Sequence, residues 1–203
     1  MITQFKIFSI ILLSTILMGF GYMEERVLFV GDSLTAYKGG WQHQYAKNRG
    51  MKYDNISKGG KRTKWMLEQM KKYPVDRYEY SPYNEIIIYG GINDSFSYVS
   101  EDETIRNIQE MVYIAKKMGA LPIVVIGYNP KEVIQMTGYS NEVETRCRNR
   151  YIKLQQRMVR ELKWCEIVPM DTTINRTDSG DGIHLNSKGH RKFAYWILDN
   201  TKL

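Results

Sequence analysis

The stretch Val27-Leu28-Phe29-Val30-Gly31-Asp32-Ser33-Leu34 decides how the chain is to be read. Its apolar run, mostly β-branched or aromatic, predicts a strand buried on both faces, the pattern of a parallel sheet covered by helices. Gly31 allows a sharp turn, and Asp32 and Ser33 fall where the strand stops. Ligands of open α/β sheets bind beyond the carboxyl ends of the strands, so a hydroxyl at that point is placed for chemistry. Ser33 is therefore the first candidate nucleophile. Taken alone, Gly-Asp-Ser serves equally well as a turn that caps the next helix, so the rest of the chain has to decide.

Downstream, strand-like and helix-like patterns alternate. A helix is predicted from Trp41 to Arg49, closed by Gly50, then a short strand from Tyr53 to Ser57. A Gly59-Gly60 turn leads into a helix through Trp65, Met66, Leu67 and Met70. Pro74 and Pro82 bracket a Tyr-rich connection. Glu85 to Tyr89 predicts a third strand, ending at Gly90-Gly91-Ile92-Asn93-Asp94. Ser100 and Glu103 form a capping box for a helix that keeps Ile105, Ile108, Val112 and Ala115 on one side as far as Gly119. Leu121 to Tyr128 predicts a fourth strand, opening into a long loop through Asn129, Pro130, Met136 and Tyr139. Asn141 and Glu144 are read as the cap of a helix with the stripe Val143, Cys147, Tyr151, Leu154, Met158 and Leu162. Cys165 to Met170 predicts a fifth strand. A polar loop from Asp171 to Leu185 precedes a last helix from about Asn186, with Phe193, Trp196 and Ile197 facing inward. Five such alternations predict a three-layer α/β/α sandwich around a five-stranded parallel sheet, in the order 2-1-3-4-5.

The chain has 203 residues, 43% of them hydrophobic, which suits one domain. Met1 to Gly21 has a short basic start, an apolar run from Ile7 and small residues at Gly19-Phe20-Gly21, the pattern of an export signal. An uncleaved anchor is the other reading of that segment, but its fifteen residues, apolar apart from Ser9, Ser14 and Thr15, fall short of the roughly 20 that span a bilayer. The folded domain is accordingly expected over residues 22–203. The 29 Lys and Arg against 22 Asp and Glu give +7, a modest excess that suits peripheral contact with anionic surfaces. Its densest run, Lys58, Lys61, Arg62 and Lys64, reads as a solvated face, and nucleic acid is not expected as a partner. Cys147 and Cys165 are separated by a predicted helix too long for a disulfide, so two free thiols are expected.

The candidate chemistry sits at the strand ends. Ser33, Gly60, Asn93 and the pair Asp181 and His184 each follow a different predicted strand, which brings them to one rim. His43 and His190 lie within predicted helices, where structural roles account for them. His184 lies in the polar loop, with Asp181 three residues before it, a spacing that lets a carboxylate reach the ring nitrogen and fix the tautomer. The backbone N–H groups of Ser33 and Gly60 and the Asn93 amide are candidate donors to an oxyanion.

Taken together, Gly31-Asp32-Ser33-Leu34, Gly60, Gly91-Ile92-Asn93-Asp94 and Asp181-Gly182-Ile183-His184 resemble the SGNH, or GDSL-type, hydrolase family, in order and from Arg26 onward. The second block is the loosest, since Gly59 or Gly60 can be its glycine; Gly60 is favoured. The resemblance implies a serine ester hydrolase. Ser33 would be acylated, Asp181 and His184 would complete the triad, and Ser33, Gly60 and Asn93 would form the oxyanion hole. The implied substrates are esters ranging from lipids to acetylated sugars, with no metal or organic cofactor. Phe96, Tyr98, Tyr128, Met136 and Tyr139 are candidates for an acyl pocket, for sugar stacking or for plain core. Transfer of the acyl group to a sugar would use the same residues, and a catalytically inactive binding module on this fold is the alternative from another class. Gly59-Gly60-Lys61-Arg62-Thr63 does not make a phosphate-binding P-loop, because Arg62 separates Lys61 from Thr63.

Overall fold

The computed structural model describes residues 24–72, 82–135 and 140–202. The signal-like segment 1–21, Pro74, and the pocket candidates Met136 and Tyr139 lie outside the described residues. Five strands, β1 (Arg26–Gly31), β2 (Lys52–Asn55), β3 (Glu85–Tyr89), β4 (Leu121–Val125) and β5 (Glu166–Val168), form one parallel sheet in the order β2-β1-β3-β4-β5. This is the order that the alternation of strands and helices predicted. Phe29 lies in register between Asn55 of β2 and Ile87 of β3. Val27 to Val30 and Ile86 to Ile88 are buried because helices cover both faces of these strands.

The helices are α1 (Ser33–Ala36), α2 (Trp41–Arg49), α3 (Thr63–Lys72), α4 (Ile92–Phe96), α5 (Glu101–Lys117), α6 (Pro130–Val133), α7 (Asn141–Glu161) and α8 (Ser187–Asn200). Helix α2 packs on α8, while α3 packs on α5 and α7 packs on both α4 and α5. Between the sheet and the α2 and α8 pair the core is aromatic. The Phe29 ring meets Trp41 edge-on at 5.3 Å, and Trp41 meets Phe193 of α8 at 5.7 Å. No helix among the described residues is long and apolar enough to cross a membrane. Cys147 is buried, Cys165 is half-buried, and both are free.

Local chemistry moved several boundaries. Strand β2 stops at Asn55 instead of Ser57, because the Asn55 side chain accepts from Ser57 N and donates to Thr35 O, turning the chain away. Strand β5 ends at Val168 because Pro169 has no N–H to donate. Strand β4 ends at Val125, two residues before Gly127 at φ +93°, and Tyr128 rejoins the sheet only through a single bridge to Asp171. The cap of α7 is Ser140, whose hydroxyl accepts from Val143 N; Asn141 is the first helical residue.

Gly31 is required for a reason other than the expected turn. Its φ is not positive, and it forms the last residue of β1. A Cβ at this point would fall 2.5 Å from Thr35 Oγ1 and 2.7 Å from Tyr89 O. The glycine therefore lets α1 fold back against β1 and β3, while the turn itself is made at Asp32. Gly31→Ala should lower unfolding stability by about 1–3 kcal/mol, the usual cost of overpacking. Urea denaturation measures this, and a stability equal to the parent would contradict the close approach.

Candidate active site

Strand β1 delivers Ser33 to the sheet's rim as the first residue of α1. Asp32 caps that helix, its Oδ1 accepting from Leu34 N at 2.9 Å, and the Trp41 indole donates to Leu34 O at 2.8 Å. Ser33 is thus held on a short, doubly braced turn with its hydroxyl half-exposed.

His184 arrives from the other end of the chain on the loop between β5 and α8. The structure places its Nε2 2.9 Å from Ser33 Oγ and its Nδ1 2.7 Å from Asp181 Oδ2. The other Asp181 oxygen accepts from Ile183 N at 2.9 Å and His184 N at 2.7 Å, so the carboxylate is fixed before it meets the ring. Partial burial pushes the Asp181 pKa up. Hydrogen bonds from the His184 ring and from these two N–H groups outweigh that effect and hold it below the ordinary carboxylate range. The arrangement can take a proton from Ser33 and stabilise the imidazolium that results.

The loop carrying this pair is itself pinned. Ser179 Oγ accepts from Gly182 N and donates to His184 O. Asp178, buried, pairs with Lys192 Nζ at 2.6 Å and Lys188 Nζ at 3.4 Å. A Cβ on Gly189 would fall 2.1 Å from Asp178 O, so α8 approaches the loop this closely only because residue 189 is glycine. From below, the Tyr128 hydroxyl donates to Ile183 O.

That last contact corrects the expected pocket. Tyr128 is fully buried and acts as a strut under the loop, and Phe96, half-buried, packs against the core at the end of α4. Tyr98, on an exposed turn, lies under the Arg150 guanidinium at 5.2 Å. The cavity beside the serine, of about 190 Å³, is lined instead by Ser33, Leu34, Tyr37, Gly180, Asp181, His184, Leu185 and His190. The Tyr37 ring stacks on His190 at 5.1 Å. His190 Nδ1 faces Trp41 N at 3.2 Å, and burial lowers the His190 pKa to about 4, so this ring is a neutral wall. Only one sequence signal points to Tyr37: it follows Ser33 by about one helical turn.

The glycines and Asn93 are placed in more detail than expected. A Cβ on Gly59 would lie 3.8 Å from Ser33 Cβ, so Gly59 flanks the serine, whereas Gly60 takes φ +69° and faces open space. Asn93, on α4, has both amide hydrogens engaged: Nδ2 donates to Lys61 O at 3.0 Å and to Asp32 Oδ2 at 3.2 Å. Asp94, buried beside it, accepts from Thr63 N and Thr63 Oγ1, tying α3 to α4. No group of three or more His, Cys, Asp or Glu among the described residues can hold a metal ion.

A hydroxyl, an imidazole and a carboxylate in line at the carboxyl rim of an α/β/α sheet define the hydrolase class of this fold. The chain belongs to the GDSL-like lipase/acylhydrolase family, whose model matches residues 29–192. No curated protein compared with it matches. Among solved structures it is similar to a member of the lipolytic G-D-S-L family from Veillonella parvula (TM-score 0.64, 17% identity, covering 87% of this chain and 97% of that one). It is also similar to an acetyl xylan esterase (0.59, 19%, 86% and 98%) and to a psychrotrophic esterase from a Pseudoalteromonas species (0.55, 16%, 87% and 96%).

Asp32 is the electrostatic feature that the sequence did not disclose. Full burial raises its pKa to about 7, and nearby Asp94 adds to the rise, against hydrogen bonds from Leu34 N and Asn93 and the nearby His184. A carboxyl whose folded pKa is raised costs stability above its unfolded pKa. The penalty grows between about pH 4 and pH 7, then stays constant. Relative to the parent, Asp32→Asn should therefore gain on the order of 4 kcal/mol between about pH 4 and pH 8. Thermal unfolding at pH 4 and pH 8 checks the sign; a difference independent of pH would contradict it.

Proposed function

We propose that this chain is a serine ester hydrolase acting through an acyl-enzyme on Ser33. The observation that carries the reading is His184 bridging Ser33 Oγ and Asp181 Oδ2 at 2.9 and 2.7 Å. His184 Nε2 takes the Ser33 proton as Oγ attacks the ester carbonyl, and Asp181 holds the ring and balances its charge. His184 then returns the proton to the leaving alcohol. Water, activated by the same nitrogen, attacks the acyl-enzyme and releases the acid.

The carbonyl oxygen becomes an oxyanion during both attacks. Ser33 N, the N–H groups of the Gly59-Gly60 turn and the Asn93 amide are its proposed donors. The Asn93 contact to Asp32 is the longer of its two bonds, and exchanging it for the oxyanion leaves the Lys61 bond to hold the amide in place.

Short acyl groups suit the cavity of about 190 Å³, which is below the roughly 300–1,000 Å³ of clefts for drug-sized ligands. The substrate is proposed to be a small acyl or acetyl ester of a carbohydrate or lipid. The similarity to an acetyl xylan esterase supports the sugar-ester side of that range. Export through residues 1–21 belongs to the same proposal and would place the enzyme among such polymers. Transfer of the acyl group to a sugar hydroxyl is the second reading, since the exposed face of His184 admits an alcohol as readily as water.

Ser33→Ala should lower kcat for an aryl acetate by at least about 10⁴-fold while leaving the circular dichroism and thermal midpoint at parental values. Retained turnover in the folded variant would rule out the assigned nucleophile. With aryl esters of increasing chain length, kcat/KM should fall steeply beyond butyryl. A preference for dodecanoyl would contradict the assignment of the small cavity to the acyl group.

A further inference from the structure

A second cavity, of about 400 Å³, shares no residue with the first and is lined by Gly60, Lys61, Arg62, Lys64, Trp65 and Glu68. The backbone ties it to Ser33 at two points. Gly59, adjacent to its first lining residue, flanks Ser33, and Lys61 O holds the Asn93 amide. Lys61, Arg62 and Lys64 of the run that reads in sequence as a solvated face, two of them exposed, thus line a concave site at the edge of the reaction centre.

Among the described residues its charge is only partly compensated. Three cationic side chains share the lining with one carboxylate, Glu68. None of Lys61, Arg62 and Lys64 forms an ion pair among the described residues, although Lys71 on the same helix pairs with Glu110. Arg62 acts electrostatically on the buried Asp94, whose oxygens are already taken by Thr63. Lys61 Nζ sits 5.8 Å from the centre of the Trp65 ring, so a flat apolar wall adjoins the cations. Unpaired cations converging in a cleft favour an anion there, more so than the same charges spread over a convex face.

An ester presents an acyl part on one side of its carbonyl carbon and an alcohol part on the other. With the small apolar cavity on the acyl side, the basic cavity is left for the alcohol. We infer that the alcohol part of the substrate carries a compact oxyanion, a carboxylate or a phosphate, held by Lys61, Arg62 and Lys64 beside Trp65. The inference rests on the ester-hydrolase reading and narrows it to anionic esters, such as acetylated sugar acids or acetylated sugar phosphates.

Three acetyl esters differing only at one ring position test it: an O-acetyl methyl glucoside, the corresponding glucuronide and the corresponding 6-phosphate. The parent enzyme should show kcat/KM about tenfold or more higher for at least one anionic ester than for the neutral one, the effect of about two partly exposed charge pairs. That ratio should fall toward one in Lys61→Gln/Arg62→Gln, and in the parent at high ionic strength, which requires no variant to fold. Lys71→Gln, whose partner is Glu110, should keep the parental ratio. The carboxylate and phosphate arms tell the two sources of charge apart. Equal kcat/KM for neutral and anionic esters in the parent, or a preference that survives in the double variant, would overturn the inference while leaving the hydrolase reading intact. No turnover of any of the three esters, or of an aryl acetate, would overturn both.

Discussion

The hydrogen bond between Ser33 and His184 joins residues 151 positions apart, and much of the fold can be understood as what holds its two ends still. At one end, β1 is locked between β2 and β3, and Gly31 lets α1 fold tightly back so that Ser33 stands at the rim. At the other, the loop ending in His184 has little regular structure and is fixed by side-chain bonds from Ser179, Asp178 and Asp181 and by the buried Tyr128 hydroxyl. The central sheet brings the two segments together. Local hydrogen bonds then set the geometry within the fraction of an ångström that proton transfer needs.

Charge around the serine is arranged at some cost. Among the described residues the buried Asp32 carboxylate has no cationic partner, and its hydrogen bonds come from Leu34 N and the Asn93 amide. A hydrophobic residue there would be cheaper for stability, but it would leave α1 uncapped and Asn93 unrestrained on that side. Buried polar groups of this kind lower stability in return for holding neighbouring groups in place. On the proposed mechanism, Asn93 is the beneficiary, since a donor already oriented needs little reorganisation when the oxyanion forms.

Much of the fold was legible because β1 and β3 are buried on both faces, and such strands write themselves as unbroken apolar runs whatever surrounds them. The ends of β2 and β5 were not, because they depend on the Asn55 side-chain bonds and on the missing N–H of Pro169, which act over single residues. Ser33, Asn93 and the pair Asp181 and His184 were singled out by their position after different predicted strands. Spacing could say that they meet at one rim, but not that the Asn93 amide turns toward Asp32 and Lys61. Tyr128 looked like a pocket aromatic because sequence does not reveal which side of a loop a ring lies on, and it proved to be a strut beneath. Tyr37 was overlooked because its one signal, a spacing of about one helical turn after Ser33, is shared by any residue at that position and does not single out a wall of the cavity. The basic run at Lys58 to Lys64 reads as a solvated face, and its exposed Lys58, Arg62 and Lys64 agree; that Lys61, Arg62 and Lys64 share one concavity depends on how α3 leaves the Gly59-Gly60 turn.

The central claim is that Ser33 is uniquely activated by His184, and covalent trapping tests it most directly. The folded protein, treated with a small fluorophosphonate and digested, should yield one phosphonylated peptide by mass spectrometry, with the adduct on Ser33. An adduct on another hydroxyl, or none under conditions that label a control serine esterase, would contradict the account.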